Sequence, residues 1–573
     1  MTISARIQIW LSKPTNAVLL LTLSGLLAYI NCLHNAMFWD DNDFILNNIY
    51  IQDWKYWPHF FTDNILAGTH LLSNYWRPLL QAIFAVEWHL WADWVTGWHI
   101  MSVIFHIADG VLIFILLKRL FQDHWLALFT ALVFILHPLQ TETVVYANSF
   151  GDSLCLFFML AGLVFFVNRR NSAGYLASLA CFALGLMSKE LGIILPLLIL
   201  LCDGILLKRD ALGANRYRAL LTDLLPFLAI AITYAILRAT ILRFTTTFNY
   251  YPDDPEFMNN ILVRAGAFFQ TVPAYIGLMF WPATLQYDRH LEIPRIFWTP
   301  EIISGGLIIA GLLLLIWTLR RKEPAIAFGL TWFLITLLPY SNIFVIVNGR
   351  IFEHFLYIPL IGVGMAIAGT MRMLTRQRPH LKWPLGIAVV LILLALGIRT
   401  TWRNTDWRTA IRFYEQIVLV EPHNYRAMNN LGMEYADKKR LAQAETAYRN
   451  AMSIDPTNAV AYHNLGNLLK DTSRKDEAIQ MFERAIALQP NFVFSYKSLA
   501  RLYLERKNYA RTRQLLEIFY NLSDEKLPTL DTLIRIAIVD GKLAEAKRYL
   551  KELLRIDPQN TLAQNLFNKL STQ

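Results

Sequence analysis

Residues 16–32, NAVLLLTLSGLLAYINC, run without a charge, and five residues later comes 38–48, FWDDNDFILNN. A chain needs about 20 predominantly apolar residues to cross the hydrocarbon core of a bilayer. The first stretch therefore reads as a spanning helix, and Asp40, Asp41 and Asp43 stand just past its end. Arg6 and Lys13 precede it, which keeps the N-terminal side cytoplasmic and sends the acids to the far side. The following INCLHNAMF is a poor match to the small residues that a cleavable signal wants.

Working outward, the same pattern recurs. Of 573 residues 55% are hydrophobic and 17% charged, and the mean hydropathy is +0.35. A soluble domain carries about a quarter charged residues. The deficit is confined to roughly the first 400 positions, so the chain divides into a membrane domain, 1–400, and a soluble domain, 401–573. Further spans are expected near 98–117, 125–138, 152–167, 173–187, 191–207, 224–242, 302–318, 325–346, 354–371 and 383–400, about eleven in all. The apolar stretch 261–282 is expected to be re-entrant or interfacial, because a full crossing would put LRRKE, 319–323, on the outside.

The net charge of +10 does not point to nucleic acid, because KR (118–119), NRR (168–170), KRD (208–210), RRK (320–322) and RQR (376–378) each flank an apolar run. That is the positive-inside pattern. Cys32, Cys155, Cys181 and Cys202 lie in or beside apolar segments without CxxC spacing, which argues against a metal site or a disulfide framework.

Beyond residue 400 the chain repeats itself. NLGMEY begins at Asn430 and NLGNLL at Asn464, and Pro422, Pro456 and Pro490 keep the same 34-residue interval. Ala444 and Ala478, Tyr448 and Phe482, and Ala451 and Ala485 fill the small and aromatic positions. This period and pattern define tetratricopeptide helix pairs, here about four with a half-unit before them. Such arrays offer a groove to an extended peptide or a partner protein. The bland alternative is a spacer or an oligomerisation arm. The topology puts the array on the same side as Asp40. The expected fold is all-α, a polytopic bundle followed by an α-solenoid.

Placed on this topology, the remaining polar residues gather at the outer turns: Arg77; His137, Glu142 and Asp152; Lys189 and Glu190; Asp288; Arg350 and His354. Charges at membrane depth usually mark a pathway or a site. A carboxylate can take a proton from a hydroxyl, while cations stabilise charge developing on a phosphate. Taken singly each has a plainer reading: His137 before Pro138 as a helix terminus, Asp40 or Asp41 as a helix cap, Arg77 as a headgroup anchor, Lys189 and Glu190 as loop charges. The loop aromatics Trp54, Trp57, Tyr75, Trp76, Trp88, Trp91 and Trp94 read first as an interfacial belt. Their convergence on one face favours a site.

FWDDNDFILNN, WRPL (76–79), HPLQTETV (137–144), SKELG (188–192), LPYSNI (338–343) and EHFLYIP (353–359), in this order and ahead of the repeats, resemble the transmembrane and tetratricopeptide-repeat O-mannosyltransferases. The resemblance implies a class C membrane glycosyltransferase, inverting and dependent on a polyprenyl-phosphate-linked sugar. It makes Asp40, with Asp41 as rival, the base, and Arg77, Lys189, Arg350 and His354 the donor-phosphate ligands. His137, Glu142, Asp152, Glu190 and Asp288 would shape the sugar or acceptor site. Some relatives in the superfamily use a divalent metal, for which this sequence shows no requirement. Three departures stand out: Glu353-His354 where the family has Glu-Arg, Gln140 where it has a second His, and an array shorter than in animal members. The compact chain suggests a bacterial inner-membrane protein with a periplasmic site, periplasmic repeats and an undecaprenyl-type carrier, with an endoplasmic-reticulum homologue as the alternative. The expected acceptor is a protein Ser or Thr. The alternatives are a glycan or lipid acceptor, or a non-catalytic scaffold.

Overall fold

The computed structural model describes residues 10, 12–69, 71–168, 172–207, 215–244, 254–287, 289 and 291–571. Among these the regular structure is helical throughout. It forms two units, Met1–Phe413 and Tyr414–Gln573.

The helices of unit 1 are α1 Pro14–Tyr29, α2 Pro78–Trp91, α3 Val95–Phe121, α4 His124–Leu136, α5 Phe150–Val167, α6 Ser172–Ser188, α7 Leu195–Leu207, α8 Asn215–Ala239, α9 Ile261–Phe280, α10 Pro300–Leu319, α11 Pro324–Leu337, α12 Pro359–Gln377 and α13 Lys382–Asn404. Proline opens several of them, where its missing N–H costs nothing. Among the described residues eight helices are long and apolar enough to cross a membrane, or nine if the pair His124–Leu136 and Pro138–Val145, bent by 53°, counts as one span. The expected eleven also included α6, with 17 residues, α7, with 13, and α12, whose last turns carry Arg372 and Arg376. Two boundaries differ from expectation. Residues 190–194 form a 3-10 turn ahead of α7, and Pro339 and Pro359 bracket an irregular stretch between α11 and α12.

The two ends of the bundle are chemically distinct. At one end Arg372 reaches Asp123 at 3.5 Å and Glu323 at 3.4 Å, so the α3–α4 turn, the α10–α11 turn and the end of α12 meet there. LRRKE therefore shares the basic end with Lys118 and Arg119, as the charge rule requires. At the other end the amide of Asn35 donates to the Asn404 carbonyl at 2.8 Å, and Thr400 donates to the Leu136 carbonyl at 2.7 Å. This is the end that carries Asp40.

Helix α9 is long enough to span, yet both its termini lie at the Asp40 end. Arg264 donates to the Ile343 carbonyl at 3.2 Å, while the Met279 carbonyl meets His137 Nε2 at 3.0 Å and the Pro282 carbonyl accepts from Arg399 at 3.2 Å. The helix is unbroken over 20 residues. It lies across the bundle end, as an interfacial helix does, and is no re-entrant hairpin. Close packing elsewhere follows from small residues: a Cβ on Gly329 would sit 2.4 Å from the Gly362 carbonyl, so α11 and α12 touch backbone to backbone.

In unit 2, after α14 Ala410–Val420 at its junction, four helix pairs follow: α15 Tyr425–Asp437 with α16 Leu441–Ile454, α17 Ala459–Asp471 with α18 Lys475–Leu488, α19 Val493–Glu505 with α20 Tyr509–Leu522, and α21 Lys526–Val539 with α22 Leu543–Ile556. α23 Thr561–Ser571 ends the stack. The 34-residue period has a steric cause. A Cβ on Gly432 would meet Tyr448 at 2.7 Å, and one on Gly466 would meet Phe482 at 2.7 Å, so a glycine faces an aromatic ring. In the third pair the positions 34 residues on hold Ala500 and the smaller Leu516, both buried. The turn inside each pair uses a left-handed residue at Lys439, Ser473, Lys507 and Gly541, again 34 apart. It lets the Arg440 N–H reach back to the Tyr435 carbonyl at 2.8 Å.

Candidate active site

The acid pair sits on a turn that the backbone has to strain to make. Trp39 has φ +58°, the left-handed region that a bulky residue avoids. Such conformations persist where surrounding contacts over-determine them, and here the Trp39 ring packs on Tyr287, centroids 4.8 Å apart, and on Phe413 at 5.8 Å. The turn separates the fates of the two acids. Asp41 is 2% exposed, and its carboxylate accepts from the backbone N–H of Asn148 at 2.8 Å and of Phe38 at 3.3 Å. Burial pushes its carboxyl up to about 8 against those two bonds. Asp40 is partly exposed, and its backbone N–H donates to the Tyr146 hydroxyl at 3.1 Å.

A second group comes from the ends of α2, α5, α6 and α11. Arg77 holds Glu190 with two parallel bonds, Nε at 3.1 Å and Nη2 at 2.7 Å. Burial opposes the Glu190 charge, but the Arg77 guanidinium wins and holds its carboxyl at about 2. Lys189 lies 2.7 Å from both oxygens of Asp152, which also accepts from the Tyr340 hydroxyl at 3.3 Å. The Arg77 guanidinium stacks over Tyr75, 4.4 Å from its centroid. The Tyr75 hydroxyl is pushed up by burial, drawn down by Arg77, and pushed up again by Glu190 and Asp40, so the acid turn lies within electrostatic reach of this group.

The third group is Glu142, fully buried, whose carboxylate meets His354 at Nδ1 and accepts from the His354 backbone N–H at 3.0 Å. Next to it Arg403 reaches Glu353 with two contacts of 3.2 Å, both side chains nearly inaccessible. Glu353 is pushed up to about 7 by burial, with Arg403 opposing and Glu142 adding to the rise. Phe355 joins the second and third groups, stacking on Tyr340 at 4.2 Å and touching His354 at 4.7 Å. Tyr146, Tyr287 and Phe352 form an aromatic wall between His354 and the acid turn, with centroids 5.2–6.0 Å apart.

The structure thus gathers Arg77, Lys189, Asp152 and Glu190 in one group, Glu142 and His354 in another, and Asp40 with Asp41 beside them. Two expected ligands are placed differently. His137 is buried; its Nε2 faces the Met279 carbonyl and its Nδ1 accepts from the Leu139 N–H at 3.3 Å. Arg350 donates to Gln270 and to the Glu292 carbonyl, each at 3.1 Å. Both side chains make contacts that tie α9 to the bundle end. Asp288 lies outside the described residues. Tyr146, Tyr340 and Arg403 were not singled out from the sequence. Arg403 had a signal, since it is a cation at the end of a span that the charge rule reserves for few. Its guanidinium lies against Glu353, the neighbour of His354. Asp41 turns both oxygens to backbone N–H groups, and among the described residues no three His, Cys, Asp or Glu side chains converge to hold an ion.

The tetratricopeptide repeat family model matches residues 424–491. Protein O-mannosyl-transferase F38B6.6 of Caenorhabditis elegans is 25% identical over 449 residues, covering 76% of this chain and 62% of that protein. Protein O-mannosyl-transferase tmtc2 of Xenopus laevis is 23% identical with the same coverage of both, and protein O-mannosyl-transferase TMTC4 of Mus musculus is 25% identical over 76% of this chain and 66% of its own length. The chain therefore spans slightly less than two thirds of each of these relatives. Among solved structures, YrrB, a TPR protein with an unusual peptide-binding site, is 15% identical over 27% of this chain and 80% of its own, with a TM-score of 0.23. The homologues of this chain are members of the transmembrane and tetratricopeptide-repeat O-mannosyltransferase family, the resemblance that its motifs carry.

Proposed function

We propose that the chain is an integral-membrane glycosyltransferase that moves a hexose from a polyprenyl-phosphate donor to a Ser or Thr hydroxyl of a protein. The observation that carries this is the meeting, at one bundle end, of a partly exposed acid on a strained turn with two cations, Arg77 held by the partly exposed Glu190 and Lys189 by the buried Asp152. Asp40 is the base. It takes the acceptor hydroxyl proton as that oxygen forms a bond to the anomeric carbon; the bond from that carbon to the phosphate oxygen breaks, and its electron pair leaves with the lipid phosphate. A single displacement inverts the anomeric centre. Arg77 and Lys189 stabilise the charge that grows on the phosphate. Asp41 holds the turn, and Glu142 with His354 borders the sugar. The repeats hold the acceptor polypeptide on the side where Asp40 faces, the periplasm of a bacterial inner membrane. No step runs through a metal.

The test is donor consumption by the purified full chain with a polyprenyl-phosphate sugar (mannose first, since the relatives are named for it) and a protein extract, with glycopeptides read by mass spectrometry. Asp40→Asn is expected to lower transfer by roughly 10²–10⁴-fold, the usual worth of a general base, and Asp41→Asn to leave most of it. Transfer unchanged in Asp40→Asn would overturn the assignment. Absence of transfer from any lipid-linked hexose, with both variants still complementing a deletion, would leave a scaffold in its place.

A further inference from the structure

At the basic end of the bundle, opposite the acid turn, a cavity of about 280 Å³ opens between the ends of four elements. Phe121 of α3 and Ile205 of α7 give it an apolar side; Lys322 and Glu323 of the α10–α11 turn, with Arg372 and Arg376 of α12, give it a charged one. The cations exceed the local acid. Arg372 is shared between Asp123 and Glu323 at the long distances of 3.5 Å and 3.4 Å, and its buried Nε finds no hydrogen-bond partner among the described residues. Lys322 and Arg376 are exposed and have no carboxylate partner among the described residues. Two cations that line the cavity thus have no carboxylate partner among the described residues, and an anion seated there would supply the opposite charge.

The place of the cavity in the chain points to the source of the anion. Lys322, Arg372 and Arg376 stand at the basic ends of apolar helices, where such cations meet lipid headgroups, and Phe121 and Ile205 line the same cavity. Lys and Arg pockets between helix ends suit phosphate headgroups. We propose that this cavity binds the phosphate of an anionic glycerophospholipid in the leaflet at the basic end, with Lys322, Arg372 and Arg376 on the phosphate and an acyl chain along Phe121 and Ile205. The proposal is independent of the transferase reading, because none of these residues belongs to the acid end.

The positive-inside rule alone would scatter cations at this end without building a site, and the experiment separates the two. The full chain, purified in detergent, is offered phosphatidylglycerol or phosphatidylcholine, and retained lipid is counted by native mass spectrometry. Wild type is expected to prefer phosphatidylglycerol by roughly ten-fold or more, the scale set by two or three cations at a membrane surface. K322Q/R376Q is expected to bind both lipids nearly equally. K382Q removes an exposed cation from the same end outside the cavity and is expected to keep the preference. Equal retention of both lipids by wild type overturns the proposal, as does an equal loss in K382Q, which would show a diffuse field. Complete displacement of phosphatidylglycerol by excess inorganic phosphate overturns the lipid assignment in favour of a soluble phosphate.

Discussion

Asp41→Asn separates the two roles that adjacent acids can take, and its signature is in the pH dependence of stability. Burial holds the Asp41 carboxyl near 8, against its ordinary 3.8, despite two backbone N–H donors. Between those values the folded chain keeps a proton that the unfolded chain releases. The native state then binds more protons than the unfolded state, so stability is greatest near and below pH 4 and falls as pH rises toward 8. One proton corresponds to about 1.4 kcal/mol per pH unit. With an unfolding entropy of ~2.1 cal/mol/K per residue over unit 1, that is roughly 1–2 °C of Tm per pH unit. The D41N side chain has no proton to lose, so its curve lacks this slope. Scanning fluorimetry of the full chain in one detergent, from pH 5 to 8, should show wild type losing about 3–6 °C relative to D41N. Parallel curves would refute the reasoning. They would mean that Asp41 is ionised throughout, that its two accepted N–H bonds outweigh burial, and that it returns as a rival to Asp40 for the base.

Other substitutions probe the cations and the repeats. Arg77→Lys keeps the charge but loses the paired bonds to Glu190, and should lower kcat by roughly ten-fold or more, the worth of a charge-assisted bond, with KM for the lipid donor little changed, as measured in steady-state assays. Asp152→Asn and Lys189→Met each break a buried pair, at about 3–5 kcal/mol; thermal melting should show the double variant losing less than the sum of the singles, and strict additivity would deny the pair. Ser473→Gly relieves a left-handed residue and should stabilise unit 2 by about 1 kcal/mol. Gly466→Ala drives a methyl group against Phe482 and should cost about 1–3 kcal/mol; both are read by melting of the full chain.

The repeats were legible because each constraint recurs. Gly432 opposite Tyr448 and Gly466 opposite Phe482 are the same void filled twice, and a 34-residue interval exposes them. The left-handed turn was not legible, because only Gly541 among its four residues announces it. The acid end was partly legible. Polar residues at the ends of apolar runs could be collected on one face, but residue type does not name a partner. Lys189 could have met Glu190 or Glu142 as well as Asp152. His137 and Arg350 look in sequence like ligands, yet they moor a helix that length and apolarity could not distinguish from a span. What places α9 is the address of its two termini, and that exists only in three dimensions. Arg403 shows the opposite case, an exception to the charge rule that sequence could have flagged.

The pairing of the cations bears on how such a site would accelerate transfer. Arg77 with Glu190 and Lys189 with Asp152 form two neutral units in the resting protein. A lipid-linked sugar is a phosphodiester with one negative charge, and it gains little from neutral units. The departing lipid phosphate is a monoester approaching two negative charges near neutral pH. The cations therefore favour the transition state and leaving group over the bound donor, and only such differential stabilisation raises kcat. The carboxylates serve to fix the cations in place before the charge arrives, which removes reorganisation from the barrier. On this argument the carboxylate partners belong to the catalytic design as much as the cations do. Removing Asp152 should lower kcat while KM stays the same or falls, because it frees a lysine that then binds donor and transition state alike.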